Sequence, residues 1–257
     1  MQIAHLSDLH CPADSPRQAD ALVGAVRDAK PDLVVVSGDL TRAGRRREFA
    51  AARELLARFE STLLVVPGNH DVPVFNAVQR VSRPFARFDA AFAPGNVVVN
   101  FPGVQVIGLN TATGMQASLD WSLGWALPHR IARVIAALKA APADTFQIVT
   151  CHHPLLPEAA DLRRSHTKGG PEAFRNLAHA GMNMLLHGHL HRQKARIVNC
   201  DGRHVTIAGA STALGDRERG EPSGFNLIAV NGSSAPVTAM RWDGSTFQRE
   251  PLVASAA

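Results

Sequence analysis

Short, continuously apolar runs alternate with longer amphipathic stretches over the first quarter of the chain. Residues 2–7, 32–36 and 62–66 (Thr62-Leu63-Leu64-Val65-Val66) have the length and the unbroken hydrophobicity of strands covered on both faces. Between them, apolar positions recur every three or four residues. One such stretch opens at Ser15-Pro16, an N-cap residue followed by the residue best tolerated in a first helical turn, and runs to about residue 29. A second runs from about residue 45 to 59. The pattern is β-α-β-α-β, and helical crossovers of this kind join parallel strands.

The middle of the chain is less regular. Residues 97–101 and 104–109 read as a hairpin around Pro102-Gly103. An amphipathic stretch near 121–141 precedes a strand at 146–150, and a helix at 171–180 precedes a strand at 182–186. Trp121 and Trp125 stand four apart and would share a helical face with Leu119 or Met115. Residues 111–128 then form either a pocket wall or plain packing on the sheet. The segment 72–92, with Phe75, Phe85 and Phe88, has the same two readings: cover for a site, or core. From Lys194 onward helices stop, and strands at 195–199, 205–207, 225–230, 237–241 and 247–251 predict an antiparallel sheet region. No repeat or linker interrupts the pattern, so one α/β domain over 1–257 is expected.

Composition narrows the class. With 257 residues, 46% hydrophobic and 19% charged, the chain suits a soluble protein with one large core. No apolar run approaches the roughly 20 residues of a membrane span. The start carries no basic, cleavable leader, and Cys11, Cys151 and Cys200 are too scattered for a disulfide framework, so a cytoplasmic address is expected. The net charge of +5 rests largely on arginine, including Arg45-Arg46-Arg47 and Arg163-Arg164, and favours anionic ligands without implying nucleic acid.

The chemistry sits at strand ends. Asp8 and His10, Asp39, Asn69 and His70, His152 and His153, and His189 and His191 each follow a predicted strand. Asp8, Asp39 and Asn69 are separated by 31 and 30 residues, close to one βαβ unit of about 30. Such residues recur at the same sheet edge, where open α/β sheets form their ligand crevice. Aspartate and histidine hold divalent transition metals, and an asparagine carbonyl is a neutral ligand that leaves room for solvent and substrate. Glycines precede Asp39, Asn69 and His189, where the chain must turn sharply against the site. There is no Gly-rich lysine loop for nucleotide phosphates and no GxSxG elbow.

The strings Asp8-Leu9-His10, Gly38-Asp39, Gly68-Asn69-His70-Asp71, His152-His153-Pro154 and Gly188-His189-Leu190-His191 resemble, in order and spacing, the calcineurin-like metallophosphoesterase superfamily. In motif style they look most like its bacterial class III cyclic-nucleotide and glycerophosphodiester phosphodiesterases. The resemblance implies a four-layer α-β-β-α sandwich with two mixed sheets, two divalent transition-metal ions (Mn, Fe, Zn or Co) and a bridging hydroxide. It implies that Asp8, His10 and His191 bind one metal, that Asn69, His152 and His189 bind the other, and that Asp39 bridges. His70 would be catalytic rather than a ligand, and Asn69, His70 and His153 would meet the substrate. Spacing alone leaves His152 and His153 open as ligands; the family pattern, with Cys151 before and Pro154 two places after, favours His152. His5 and His187 read as hydrogen-bonded core residues, and His129, His166, His179 and His204 as surface residues.

The implied reaction is hydrolysis of a small anionic phosphate ester, favouring a diester such as a cyclic nucleotide or glycerophosphodiester. A lipid-linked phosphate or pyrophosphate is the alternative, and a nuclease is disfavoured because no aromatic-basic tract accompanies the motifs, so no stable nucleic-acid complex is expected. A non-enzymatic scaffold would be free to lose ligands, yet every position is filled. A homo-oligomer is compatible with the sequence.

Overall fold

The computed structural model describes residues 1–92, 98–116, 120–215, 221–252 and 254–256. β1 (Gln2–Leu6), α1 (Pro16–Ala29), β2 (Leu33–Val36), α2 (Arg46–Ala57) and β3 (Thr62–Val65) reproduce the alternation at the start of the chain. The Ser15 hydroxyl accepts from Gln18 N at 3.2 Å, a cap worth about 1 kcal/mol. α3 (Ala77–Ser82), α4 (Ala86–Phe92) and the antiparallel pair β4 (Val98–Phe101) and β5 (Val104–Leu109) follow. Residue 97, expected to begin that hairpin, lies outside the described residues, as does Leu119. Next come β6 (Gly124–Trp125), α5 (Pro128–Ala140), β7 (Phe146–Cys151), β8 (Thr167–Lys168), α6 (Gly170–His179) and β9 (Met184–His187). The chain ends in β10 (Lys194–Cys200), β11 (Arg203–Gly209), β12 (Gly224–Ala229), β13 (Val237–Trp242), β14 (Phe247–Pro251) and β15 (Ser255–Ala256).

The strands form two large mixed sheets, ordered β14-β13-β12-β1-β2-β3 and β15-β10-β11-β9-β7-β5-β4. Alternation along each strand sends side chains to different layers. Ala4, Leu6, Val34 and Val36 meet Leu22 and Val26 of α1 and Phe49 and Leu56 of α2. Their neighbours Ile3, Leu33 and Val35 face the other way and meet Val106, Ile148, Met184 and Leu186 of the second sheet. That sheet's outer face, with Ile107, Val149 and Leu185, buries against Val134 and Leu138 of α5 and Phe174 and Leu177 of α6. Helices, sheet, sheet and helices are therefore stacked in four layers with three apolar interfaces, which is why both faces of the central strands had to be apolar.

Two expectations are corrected. The C-terminal strands do not form one antiparallel region: β10 and β11 extend the second sheet through a parallel β11–β9 pair, while β12 pairs antiparallel with β1 in the first, Gln2 opposite Ala229. Residues 121–127 are not helical, and Trp121 and Trp125 share no helical face. The Asp120 carboxylate accepts from Ser122 N at 3.1 Å and makes a turn. Gly124 and Trp125 then run parallel to β8, and the helix starts only at Pro128. Gly124 lies so close to His153 that an added Cβ would stand 2.5 Å from the histidine Cβ.

Candidate metal centre

The loops after β1, β2, β3, β7 and β9 are zipped together by backbone hydrogen bonds. Asp8 N donates to Gly38 O at 2.9 Å, His10 N to Asp39 O at 3.0 Å and Gly188 N to His152 O at 3.0 Å. The loops turn by placing Asp8 (φ 53°), His10 (46°), Asp39 (53°), His189 (68°) and His191 (56°) in the left-handed region. For residues with a Cβ this costs on the order of 1–3 kcal/mol each and persists only where the surroundings over-determine it. Gly38 takes a φ of 93°, and Gly188 lies where a Cβ would fall on Ser7 Oγ and 2.7 Å from Asp8 Oδ2. One glycine supplies a conformation; the other supplies space beside a candidate ligand.

The side chains converge as two linked groups. The ligand atoms of Asp8, His10 and His191 lie within 4.8 Å of one another, and those of Asp8, Asp39 and His152 do the same. His191 Nε2 is 3.1 Å from Asp8 Oδ1. His152 Nε2 stands 3.2 Å from Asp39 Oδ2 and 3.1 Å from Asn69 Oδ1. His189 joins His152 and His153 in a third grouping of the same size. Asp8 and Asp39 thus stand between the histidines of the two sides.

Tautomers are set by the loop after β2. His10 Nδ1 lies 3.2 Å from Thr41 O, His152 Nδ1 2.8 Å from Ser37 O and His70 Nδ1 2.8 Å from Arg42 O. A carbonyl oxygen only accepts, so each Nδ1 carries its proton and each Nε2 is left with a lone pair when the ring is neutral. His153 differs. Its Nε2 lies 2.9 Å from Ser122 O and its Nδ1 2.9 Å from Thr111 Oγ1, so both ring nitrogens are engaged by protein and the ring is fully buried. His70 is half-buried and borders solvent.

For Asp8, Asp39, His10 and His189 the electrostatics favour cation-ligating forms. Burial would raise the Asp8 and Asp39 carboxyls, but His191 beside Asp8 and His152 beside Asp39 hold both below the ordinary carboxylate range. Burial lowers His10 to about 4 and, together with His152, lowers His153 to about 3. His189 is pushed well below its ordinary value by burial and by His153 and His152. His152 goes the other way, to about 9: burial opposes its charge, but the adjacent Asp39 overcomes that. His10 Nε2 and His189 Nε2 are buried with no hydrogen-bond partner, and Asp8 Oδ1 is buried against His191 Nε2 at 3.1 Å and His10 Nε2 at 3.8 Å. Orphaned imidazole nitrogens at the meeting point of ionised carboxylates fit a pair of divalent cations, since leaving them unpaired would otherwise be costly.

Several positioning residues carried no spacing signal. Asp71 accepts from Leu40 N, Thr41 N, Thr41 Oγ1 and Gly68 N at 2.9–3.2 Å, locking the β2 and β3 loops together. Burial and the Asp39 charge push its carboxyl up to about 7. Arg42 Nε donates to His10 O at 2.8 Å, and Thr212 Oγ1 to Asp8 O at 2.7 Å. Asp71 belongs to a quoted motif and could have been found there; Arg42 and Thr212 could not. His5 and His187 are buried, with His5 Nε2 2.9 Å from Ser37 Oγ, and His129, His166, His179 and His204 are exposed. His179, Cys200 and Asp201 also converge, and an exposed His179–Asp201 ion pair of 3.1 Å accounts for that grouping.

The two adjacent histidines separate by experiment. His152→Ala should reduce bound metal by about one ion per chain in elemental analysis of reconstituted protein, because its Nε2 faces Asp39 and Asn69. His153→Ala should retain the metal and alter KM or thermal stability through the lost Thr111 and Ser122 bonds. Metal loss confined to His153→Ala would reverse the assignment.

The chain is 29% identical over 172 residues to a glycerophosphodiester phosphodiesterase, GpdQ, of Enterobacter lignolyticus, an alignment covering 61% of this chain and 58% of that protein. It is 25% identical over 261 residues to a probable cyclic nucleotide phosphodiesterase of Synechococcus sp., covering 94% and 92%. A dimetal phosphatase from Danio rerio superposes with a TM-score of 0.66 over 98% of this chain and 99% of its own, at 14% identity, a likeness of fold. A family profile described as calcineurin-like phosphoesterase matches residues 1–193, which span every converging residue from Asp8 to His191, and the chain belongs to that family.

Proposed function

We propose that this chain is a phosphodiesterase in which Asp8, His10 and His191 hold one divalent cation, Asn69, His152 and His189 hold a second, and Asp39 lies between them. The observation that carries the reading is the pair of buried, partnerless imidazole nitrogens on His10 and His189, gathered around the buried Asp8 and Asp39 carboxylates beside the half-buried His70. Two such cations, once bound, acidify water and neutralise phosphoryl charge. The protein's own contributions follow from the hydrogen bonds. Ser37 O and Thr41 O hold His152 and His10 with Nε2 inward, and burial keeps competing water away. His70, with Nδ1–H on Arg42 O, would act in its doubly protonated form, Nε2–H donating its proton to the leaving oxygen or a hydrogen bond to a phosphoryl oxygen. Asn69 contributes a neutral amide, so the site keeps only the Asp8 and Asp39 charges and a phosphate anion is admitted.

Mn, Fe, Zn and Co all suit this ligand set. A small diester is the substrate we favour, in keeping with the cyclic-nucleotide and glycerophosphodiester activities for which the relatives are named. Chelation should abolish hydrolysis, and re-addition of one of these metals should restore it. On the reconstituted protein, bis(p-nitrophenyl) phosphate, cyclic nucleotides and glycerophosphodiesters should be cleaved with kcat/KM at least about tenfold above p-nitrophenyl phosphate. Faster monoester cleavage would overturn the diester assignment, and inactivity with every metal would overturn the enzyme.

A further inference from the structure

The segment leaving the candidate centre is built inside out. In α3 the charged Arg80 faces inward, 7% exposed, with Nη1 donating to Pro73 O at 3.3 Å and the guanidinium 5.1 Å from the Trp121 ring centre. The apolar side chains face water: Val74 is 48% exposed, Phe75 74%, Val78 79% and Val81 58%. Val78 and Val81 stand three apart on one face of α3, and Val74 and Phe75 lie in the non-helical stretch just before its N-cap. Asn76 fixes that face by capping α3 through Gln79 N at 2.9 Å. An apolar ridge is thus presented outward while an arginine is kept in, the reverse of what water alone would select.

Beside the ridge lies a cavity of about 330 Å³ between α2 and α4, with Gln79 of α3 on its wall. Arg46, Arg53 and Arg87 line it over Phe49, and its lining includes no carboxylate among the described residues. A further cation, the Arg45 guanidinium, sits 4.6 Å from the Phe75 ring centre. Apolar side chains that protrude, flanked by cations, match a surface that is anionic at its boundary and apolar beneath.

We propose that this face docks on an anionic lipid bilayer, Phe75, Val78 and Val81 entering the headgroup region and the exposed Arg46 and Arg53 receiving lipid phosphates, while Arg87 Nη1 is held by Gly44 O at 2.7 Å. A second copy of this chain fits less well, since a two-fold contact here would bring like-charged arginine groups together. A folded acidic protein would need a matching groove, whereas a fluid bilayer accepts a ridge without one. Docking is peripheral: among the described residues no helix is long and apolar enough to cross a membrane. Val74 N donates to Ala43 O at 3.3 Å, close after Thr41 and Arg42, so the ridge is tied to the loop that orients His10 and His70. A docked molecule therefore holds its centre near the lipid surface, whatever ester it cleaves.

Vesicle co-sedimentation of the metal-reconstituted protein tests this. Vesicles of phosphatidylglycerol and phosphatidylcholine should bind wild type at least tenfold better than phosphatidylcholine alone, and 0.5 M salt should remove most of the difference. Each basic side chain at such a surface is worth about fivefold in partition, so Arg46→Glu/Arg53→Glu should lose more than tenfold. Phe75→Ser/Val78→Ser should lose about tenfold or more. Both double variants should keep wild-type cleavage of soluble bis(p-nitrophenyl) phosphate, which separates docking from the centre's chemistry. Equal binding to the two vesicle types, or unchanged binding by Phe75→Ser/Val78→Ser, would overturn the proposal. So would a wild-type dimer in analytical ultracentrifugation that this variant dissolves without any vesicle binding, which would assign the face to self-association.

Discussion

Asp39→Asn is expected to lower bound metal from two ions per chain to below one and to reduce kcat/KM by about 10³-fold or more, beyond the 10- to 100-fold typical of residues that merely support a ligand. The substitution is nearly isosteric. An asparagine oxygen can still accept from His70 N, now 2.8 Å from Asp39 Oδ1, so the β3 loop keeps its anchor. What is lost is charge: the proposed ligand set contains only the Asp8 and Asp39 carboxylates against two divalent cations. The same carboxylate raises His152, so its removal favours the neutral imidazole, and the loss of metal is expected in spite of that gain. The metal-free variant should unfold at a lower temperature than the metal-free wild type, because removing one partner of the buried Asp39–His152 pair leaves the imidazole without its compensating charge. Two tightly held ions per chain in the variant would show that Asp39 does not join the two sides.

His70→Ala should leave metal content intact and reduce turnover by about 10²- to 10⁴-fold for esters with poor leaving groups. The half-buried ring lies at the rim, its centre 5.0 Å from that of His10, and its Nδ1–H is spent on Arg42 O. Nε2 is then the atom through which it acts. An alkoxide leaving group needs a proton or a compensating charge, whereas nitrophenolate leaves with little help. A much larger loss for the alkyl ester therefore identifies proton donation, and equal losses identify electrostatic support of the phosphoryl oxygens. Full activity on both esters with metals retained would remove His70 from the mechanism.

The centre was legible in the sequence to the extent that strand ends were. Asp8, Asp39 and Asn69 follow continuous apolar runs whose length and helical spacing are local properties. Their convergence then follows from parallel crossovers without knowledge of any contact. The 121–127 segment defeated the same logic, since Trp121 and Trp125 have helical spacing but Gly124 is pressed against His153 and extended by pairing with Thr167, partners remote in sequence. Likewise, nothing in residues 205–207 or 225–230 tells which sheet each strand joins, because no helical crossover intervenes to fix neighbour and direction. The left-handed backbone at Asp8, His10, Asp39, His189 and His191 was hidden for a related reason. Asp and His give no local sign of that conformation, which the neighbouring loops impose.

The pairing of β1 with β12 bears on when the centre can come into being during synthesis. Asp8 leaves the ribosome long before the residues that pin its loop: His189 N donates to its carboxylate at 3.1 Å, Thr212 Oγ1 to its carbonyl and Ala213 N to Ser7 O. At about 5–20 residues per second, the nascent chain waits on the order of ten to forty seconds between making the first of these groups and the last. Through that interval the loop after β1 has its bonds to the β2 loop but lacks those from His189, Thr212 and Ala213, and His10 is without His191 beside it. Metal capture on this side therefore waits for these later residues, and a ribosome-bound fragment ending before residue 189 should be unable to retain the cation proposed for Asp8, His10 and His191.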